Sequence, residues 1–176
     1  MGRWILVVLG LALAGCQAIG PGSESETQRP EIEEARPQQS ARVERKVAFP
    51  EEEYAGLKKT GNSRVVGRIF LKTQSGEILY GAGETISVAP ATTYSAEAAE
   101  AALAGKAVER ADPRAREYTH YAEADEQGRF EVHGLPAGVY YVAGSVSQPG
   151  SNTQRQIIIK QVRLGENGTA QVELSR

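Results

Sequence analysis

Cysteine, histidine and aromatic residues are scarce in this sequence. Of its 176 residues, one is cysteine and two are histidine, and aromatic residues make up 6%. With Cys16 alone, no disulfide can form within the chain, so folding must depend on an apolar core. The 20 Lys and Arg are balanced by 22 Asp and Glu, which excludes the basic footprint typical of nucleic-acid binding.

The sequence also lacks an apolar run long enough to cross a bilayer as a helix. The first apolar run covers residues 4–14, about 11 residues, whereas a spanning helix needs about 20. Arg3 precedes the run, and Ala14 and Gly15 lead directly into Cys16. This layout is typical of a secretory signal peptide, so we expect residues 1–15 to be removed.

The sequence Leu13-Ala14-Gly15-Cys16 resembles the lipobox of bacterial lipoproteins. The resemblance implies that a diacylglyceryl group is attached to the Cys16 sulfur and that the chain is cleaved between Gly15 and Cys16. Two or three acyl chains would hold the protein stably at a membrane. Gln17, in place of the aspartate associated with inner-membrane retention, favours the outer membrane. The alternative is an ordinary secretory signal that happens to contain a cysteine.

Residues 16–60 are predicted to be a lipid anchor and flexible tether. Up to about Pro50 the segment is dominated by Glu, Gln, Ser, Pro, Ala and Arg, a composition that cannot bury enough surface to offset the entropy of ordering. A second possibility stays open for residues 43–57, which contain Val47, Phe49, Tyr54 and Leu57. This stretch could dock on the following domain as an arm.

Residues 61–176 are predicted to form a single all-β domain. Apolar and polar residues alternate in short segments separated by turn signals, and the spacing predicts about seven strands in a two-sheet sandwich. The run 157–159 is apolar on both faces, so it is either a central strand or a strand whose outer face is covered. The residues expected to face the core are Val65, Gly67, Ile69, Leu71, Ile86, Val88, Phe130, Val132, Tyr140, Val142, Ala170, Val172 and Leu174.

Turn residues separate these segments. Asp125 and Gly128 take the first and last positions of a predicted type I turn, and Asn167-Gly168 predicts a tight hairpin with positive φ at both residues. The Ala- and Glu-rich stretch 95–109 is predicted to be a helical insertion capped by Ser95 and packed loosely on one edge or end of the sandwich.

The C-terminal part of the chain resembles the carboxypeptidase regulatory-like domain of the prealbumin-like (transthyretin-like) group. The resemblance implies a seven-stranded Greek-key β-sandwich, and it identifies no active site, because the matching residues are turn and core residues. The residues that carry it are Val65-x-Gly67-x-Ile69 and Asp125-x-x-Gly128-x-Phe130-x-Val132-x-x-Leu135-Pro136-Ala137-Gly138-x-Tyr140-Tyr141-Val142.

Catalytic and metal-binding patterns are weak. His120 and Glu123, with His133 downstream, superficially resemble zinc ligands, but residues three apart on a strand point to opposite faces. No glycine-flanked nucleophile turn surrounds a serine. We therefore predict no catalytic residue, no metal ligand, no cofactor site and no enzymatic activity.

Two groups of surface residues leave alternatives open. The arginines after the insertion could contact an anionic glycan or a partner carboxylate, or could form a solvated loop of mixed charge. The tyrosines could form an aromatic binding surface or could pack at sheet edges. The groups are Arg110, Arg114 and Arg116 beside Asp112 and Glu117, and Tyr94, Tyr118 and Tyr121.

The combined expectation is a lipid-anchored, non-enzymatic protein of the cell envelope. Its β-sandwich would act as a structural or protein-interaction module. The alternative is a carbohydrate- or peptide-binding module that uses the insertion and nearby loops. The expected partners are the membrane, through the lipid, and an envelope protein or glycan, with no nucleic acid.

Mass spectrometry of the protein from its native membrane tests the anchor. We expect an N-terminus at Cys16 carrying the mass of a diacylglyceryl group, and we expect Cys16→Ser to release the protein from the membrane fraction. An uncut N-terminus, or an unmodified thiol on a freely soluble product, would contradict the lipobox.

Overall fold

The computed structural model describes residues 42–148 and 155–176. The predicted signal peptide, Gly15, Cys16 and the tether up to residue 41 lie outside the described residues. Within the described ranges, no helix is long and apolar enough to cross a membrane. The elements are α1(Glu51–Ala55), β1(Ser63–Lys72), β2(Ile78–Tyr80), β3(Thr85–Pro90), α2(Thr93–Leu103), α3(Pro113–Arg116), β4(His120–Glu123), β5(Arg129–Leu135), β6(Gly138–Ser147), β7(Arg155–Leu164) and β8(Thr169–Ser175).

The strands form two sheets packed as a sandwich, which confirms the predicted all-β class. In the β1 sheet, β5 and β2 pair with successive parts of one edge of β1, and β8 pairs with the other edge. The β6 sheet has the order β4-β3-β6-β7. The described chain contains eight strands, against about seven predicted, and β2 has only three residues. The pair β1 and β8 is parallel, and the other described strand pairs are antiparallel.

The core lies between the two sheets and follows the predicted alternation. Successive side chains of a strand point to opposite faces, so every second residue reaches the core. Along β5, for example, Phe130 and Val132 are buried while Glu131 is exposed. The buried core residues contributed by both sheets include Val65, Ile69, Leu71, Ile86, Val88, Phe130, Val132, Tyr140, Val142, Val172 and Leu174.

The predicted turn between β4 and β5 is present. The Asp125 carboxylate accepts a hydrogen bond from the Gln127 N–H at 2.9 Å, and the Gly128 N–H donates to the Asp125 carbonyl at 2.8 Å. Gly128 has a φ of 73°, and a Cβ there would lie 2.3 Å from the Ile69 carbonyl oxygen. Glycine is required at this position for both its left-handed backbone and its close contact with β1.

The predicted Asn167-Gly168 hairpin is wrong. Asn167 has a φ of 51°, but Gly168 is not among the positive-φ residues, and the Gly168 N–H donates to the Gly165 carbonyl at 3.3 Å. The turn links β7 of one sheet to β8 of the other. The Asn167-Gly168 dipeptide reverses the chain locally. After this reversal, β8 does not pair with β7 but forms a long parallel pairing with β1.

The helical insertion is present as α2, with different ends from those predicted. Thr92 is the N-cap, and Ser95 occupies the third helical position of a reciprocal capping box, so the predicted cap at Ser95 is wrong. The helix ends at Leu103, well before residue 109, because Gly105 adopts a φ of 72° and the Lys106 N–H donates to the Ala101 carbonyl.

The apolar run 157–159 lies on β7, at the edge of the β6 sheet. Ile158 is buried in the sandwich core. Ile157 and Ile159 point to the opposite face, where α2 packs against β7 and leaves both of them half-buried. Of the two alternatives for this run, the structure has the strand whose outer face is covered.

Residues 43–57 dock on the domain as an arm, which is the second possibility left open above. Val43 forms a parallel bridge with Val108. Further along, Tyr54 is 3% exposed and packs with Tyr94 and Ala115. We call this group, with Val47, Phe49, Ala111 and Tyr118 around it, the satellite core. The arm therefore packs against α2 and α3.

Tyr54→Ala tests the docking of the arm. Loss of a buried aromatic side chain should lower the free energy of unfolding by about 3 kcal/mol. Tyr54→Phe removes only the hydroxyl, which lies 3.1 Å from Thr92 Oγ1, and should cost about 1 kcal/mol. Urea unfolding measures both changes.

Leu57→Ala is the control for this series, because Leu57 lies in the same segment and is 36% exposed. It should change stability by less than about 0.5 kcal/mol. Equal effects of Tyr54→Ala and Leu57→Ala would show that the arm does not dock.

Candidate functional site

The arm is held to α2 by the carboxylate of Glu97. Glu97 accepts hydrogen bonds from the backbone N–H groups of Lys46 at 2.6 Å and Val47 at 3.3 Å, and from the Arg45 guanidinium at 3.5 Å. The Arg45 side chain also lies over the Tyr94 ring, 4.0 Å from its centroid. Because charged partners strengthen hydrogen bonds, this cluster fixes one side of the insertion.

An apolar cavity of about 230 Å³, which we call the slot, lies between α2 and the outer face of the β6 sheet. Its helix side consists largely of alanine, and its sheet side contains small residues next to Ile157 and Ile159. The slot is lined by Arg45, Tyr54, Ser87, Ala89, Tyr94, Ser95, Ala98, Ala99, Ala102, Ala111, Ala115, Thr119, Tyr141, Ala143, Ile157 and Ile159.

A second cavity of about 630 Å³, which we call the basic cavity, adjoins the slot. The two cavities share Ala98, Ala102 and Ile157 in their linings. The basic cavity has five cationic side chains around it and, among the described residues that line it, no Asp or Glu. These cations are Arg42, Lys106, Arg110, Arg155 and Arg176.

The local charge of the basic cavity opposes that of the whole chain, whose formal net charge is −2. Arg155 is paired with Glu84 at 2.8 Å. The other four cations have no ion pair with any residue of the described ranges. Cations that have no ion-pair partner among the described residues, and no described Asp or Glu between them, attract anions. We call the slot and the basic cavity together the α2 cleft.

The three arginines singled out in the sequence separate in the structure. Arg110 lines the basic cavity. Arg114 pairs with Glu51 and with Asp112, and its guanidinium lies 4.2 Å from the Phe49 ring centroid. Hydrogen bonds from Arg114 lower the pKa of the Asp112 carboxyl. Arg116 is exposed and lines neither part of the cleft.

The three tyrosines do not form a common surface. Tyr94 is 5% exposed, and its hydroxyl accepts a hydrogen bond from the Asp112 N–H at 2.9 Å. Tyr118 packs edge-on against Tyr54, with ring centroids 5.2 Å apart. Tyr121, at 58% exposed, is the member of this group that remains accessible. Tyr94 and Tyr118 therefore pack in the satellite core, and neither lies at a sheet edge as the alternative expected.

His120 and Glu123 diverge, as their spacing on a strand predicts. His120 pairs with the buried Val88, while Glu123 pairs with the exposed Thr85. A ring nitrogen of His120 lies 3.0 Å from the Lys59 carbonyl oxygen. In residues 42–148 and 155–176, no three His, Cys, Asp or Glu side chains lie close enough together to hold a metal ion.

The outer face of the β1 sheet offers a different surface. It carries Tyr80, 38% exposed, against the nearly buried Phe70. Arg68 lies 4.9 Å from the centroid of the Tyr80 ring, and Lys72 lies 5.9 Å from that of Phe70. Because cations already contact both rings, and because carboxylates also line this face, it is a weaker candidate than the α2 cleft.

Only part of the α2 cleft could be predicted from the sequence. The helical insertion and Arg110 were singled out, and a covered outer face at 157–159 was one of two alternatives left open. The cations at Arg42, Lys106, Arg155 and Arg176 were not singled out, because each lies in a separate segment with no motif around it. A high alanine content over residues 96–104 was the available signal for the slot.

Comparisons with known proteins support the fold. A crystal structure of a proposed carbohydrate-binding protein from Pseudomonas aeruginosa superimposes with a TM-score of 0.63 and 28% sequence identity, covering 74% of this chain and 99% of that chain. A 9R-lipoxygenase from Cyanothece superimposes with a TM-score of 0.30 and 11% sequence identity, and the match covers 77% of this chain and 18% of the lipoxygenase chain. This match supports no conclusion. No protein-family model and no curated protein matches the chain.

Glu97→Ala tests whether the Glu97 carboxylate holds the arm to α2. Loss of the shared carboxylate should raise the hydrogen-exchange rates of the Lys46 and Val47 amides at least tenfold, because these N–H groups lose their acceptor. Exchange in β1 and β6 should stay unchanged.

Glu100→Ala, at an exposed position of the same helix, is the matched control. If Glu97→Ala and Glu100→Ala gave the same exchange pattern, the Glu97 carboxylate would not be what holds the arm.

Proposed function

We propose that this protein is a lipid-anchored, non-enzymatic binding module of the bacterial cell envelope and that its α2 cleft binds acidic carbohydrate. The observation that carries the proposal is the basic cavity, in which five cations face one space without an acidic lining residue among those described. The structural neighbour from Pseudomonas aeruginosa, itself proposed to bind carbohydrate, supports the ligand class.

The chemistry of the basic cavity suits a saccharide that carries a carboxylate. Arginine presents its N–H donors in a planar fork that matches a carboxylate, and Lys106 adds a more adaptable point charge. Gln156 contributes an amide that can donate to, or accept from, a sugar hydroxyl. The cations are exposed, so salt screens their attraction, and we expect affinity to fall as ionic strength rises.

The same lining supports a binding role without catalysis. Glycoside hydrolysis generally uses two carboxyl groups, one on each side of the bond to be cleaved. Among the described residues around the basic cavity, no side chain is a carboxylate or an imidazole, so the pair of carboxyl side chains that glycoside hydrolysis uses is absent from this lining. The lipid anchor is proposed from the sequence Leu13-Ala14-Gly15-Cys16, with the outer membrane as the expected location.

Binding of defined oligosaccharides by the full chain in detergent micelles tests the carbohydrate proposal. We expect a galacturonic-acid tetrasaccharide to bind and a neutral glucose tetrasaccharide of the same length to bind at least tenfold more weakly. The double substitution Lys106→Gln with Arg110→Gln should weaken binding of the acidic saccharide by about 10- to 100-fold, since each charged hydrogen bond contributes about 1 kcal/mol or more. Isothermal titration calorimetry measures all of these affinities.

Arg64→Gln with Arg129→Gln provides the control, because it removes the same charge from strands of the β1 sheet. It should change the affinity less than threefold. Equal losses in the two double variants would mean that net charge, rather than the cleft, attracts the saccharide. The protein-interaction role expected from the sequence stays a prediction, and crosslinking to one envelope protein without any saccharide binding would favour it.

A further inference from the structure

The slot is unfilled because small side chains face one another across it. From α2 come Ala98, Ala99 and Ala102, and from the β6 sheet come Ser87 and Ala143. Protein interiors normally reach the packing density of organic crystals by interdigitating large side chains. Methyl and hydroxymethyl groups are too short to close the gap between a helix and a sheet, so about 230 Å³ stays open.

The slot is chemically suited to an apolar occupant. Three of its polar side chains are engaged: Ser95 donates to the Pro90 carbonyl at 2.6 Å, Arg45 pairs with Glu97, and the Tyr54 hydroxyl lies 3.1 Å from Thr92 Oγ1. Among the described residues, no buried side-chain nitrogen or oxygen lacks a hydrogen-bond partner. Water needs two to four polar partners to occupy a cavity, whereas an apolar cavity of about 150 Å³ stays dry and binds benzene.

The position of the slot identifies the kind of apolar ligand. It adjoins the basic cavity and shares Ala98, Ala102 and Ile157 with it. Lys106 and Arg110 therefore line a space that adjoins the apolar slot. An apolar space next to a cationic one is complementary to an amphiphile with an acidic head and a hydrocarbon tail.

We propose that the α2 cleft binds an acidic saccharide that carries an acyl or alkyl chain, with the chain in the slot and the acidic sugar in the basic cavity. The part of this inference that concerns the acidic sugar rests on the proposed function. The inference adds the ligand class, an anionic glycolipid, and assigns the alanines of α2 to binding of the hydrocarbon chain.

Three small probes separate the head from the chain: methyl glucuronide, octyl glucuronide and octyl glucoside. Each buried methylene adds about fourfold to affinity, so octyl glucuronide should bind at least 100-fold more tightly than methyl glucuronide. Octyl glucoside should bind at least tenfold more weakly than octyl glucuronide. The titrations use the Cys16→Ser chain below the micelle concentration of each probe.

Substitutions that fill the slot test whether the hydrocarbon chain of the ligand lies there. Ala99→Leu and, independently on the sheet side, Ala143→Val should each reduce the octyl-to-methyl affinity ratio at least tenfold while leaving methyl glucuronide binding unchanged, because both residues line the slot and neither lines the basic cavity. Ala101→Leu lies on the same helix outside both linings and is the control. Two variants on opposite walls keep the test valid if one fails to fold.

The outcomes distinguish this inference from the proposed function. Equal binding of octyl and methyl glucuronide would overturn the slot assignment and leave the acidic-saccharide proposal intact. Equal binding of octyl glucuronide and octyl glucoside would overturn the acidic head group. If the lipidated chain failed to bind octyl glucuronide while the Cys16→Ser chain bound it, the protein's own acyl chains would be the occupant and the proposal would be wrong.

Discussion

Covering the apolar outer face of the β6 sheet is the constraint on which the rest of the structure depends. Ile157 and Ile159 face outward on an edge strand, where water would otherwise reach them. The insertion α2 covers them, but alanines alone give it little area to bury. The arm adds what α2 lacks, through the Glu97 carboxylate and the aromatic satellite core. Arm, helix and sheet face therefore pack together as one layer outside the sandwich core.

This outer layer separates the candidate site from the residues that hold the fold. The sandwich core is filled by residues from the inner faces of both sheets, and none of the α2 residues belongs to it. The α2 cleft can therefore differ in shape and charge without disturbing the core. The likeness to the Pseudomonas protein, at a TM-score of 0.63, bears on the shared scaffold, whereas ligand choice depends on the lining of the cleft.

One of the cations comes directly after the end of α2. The last carbonyls of a helix carry partial negative charge, which favours cations nearby. Lys106 follows Gly105 and lies three residues beyond the last residue of α2. Its positive charge therefore suits this helix end as well as an anionic ligand.

The sequence by itself determined the features that depend on near neighbours. The alternation along β1, β5 and β6, the turn at Asp125 and Gly128 and the presence of a helical insertion could all be predicted, because each is a property of a few consecutive residues. Only the tertiary structure decided which strand β8 joins, whether the arm docks and that the cations of the basic cavity share one space. Those features arise from contacts between residues far apart in the chain, whose free energies no local pattern encodes.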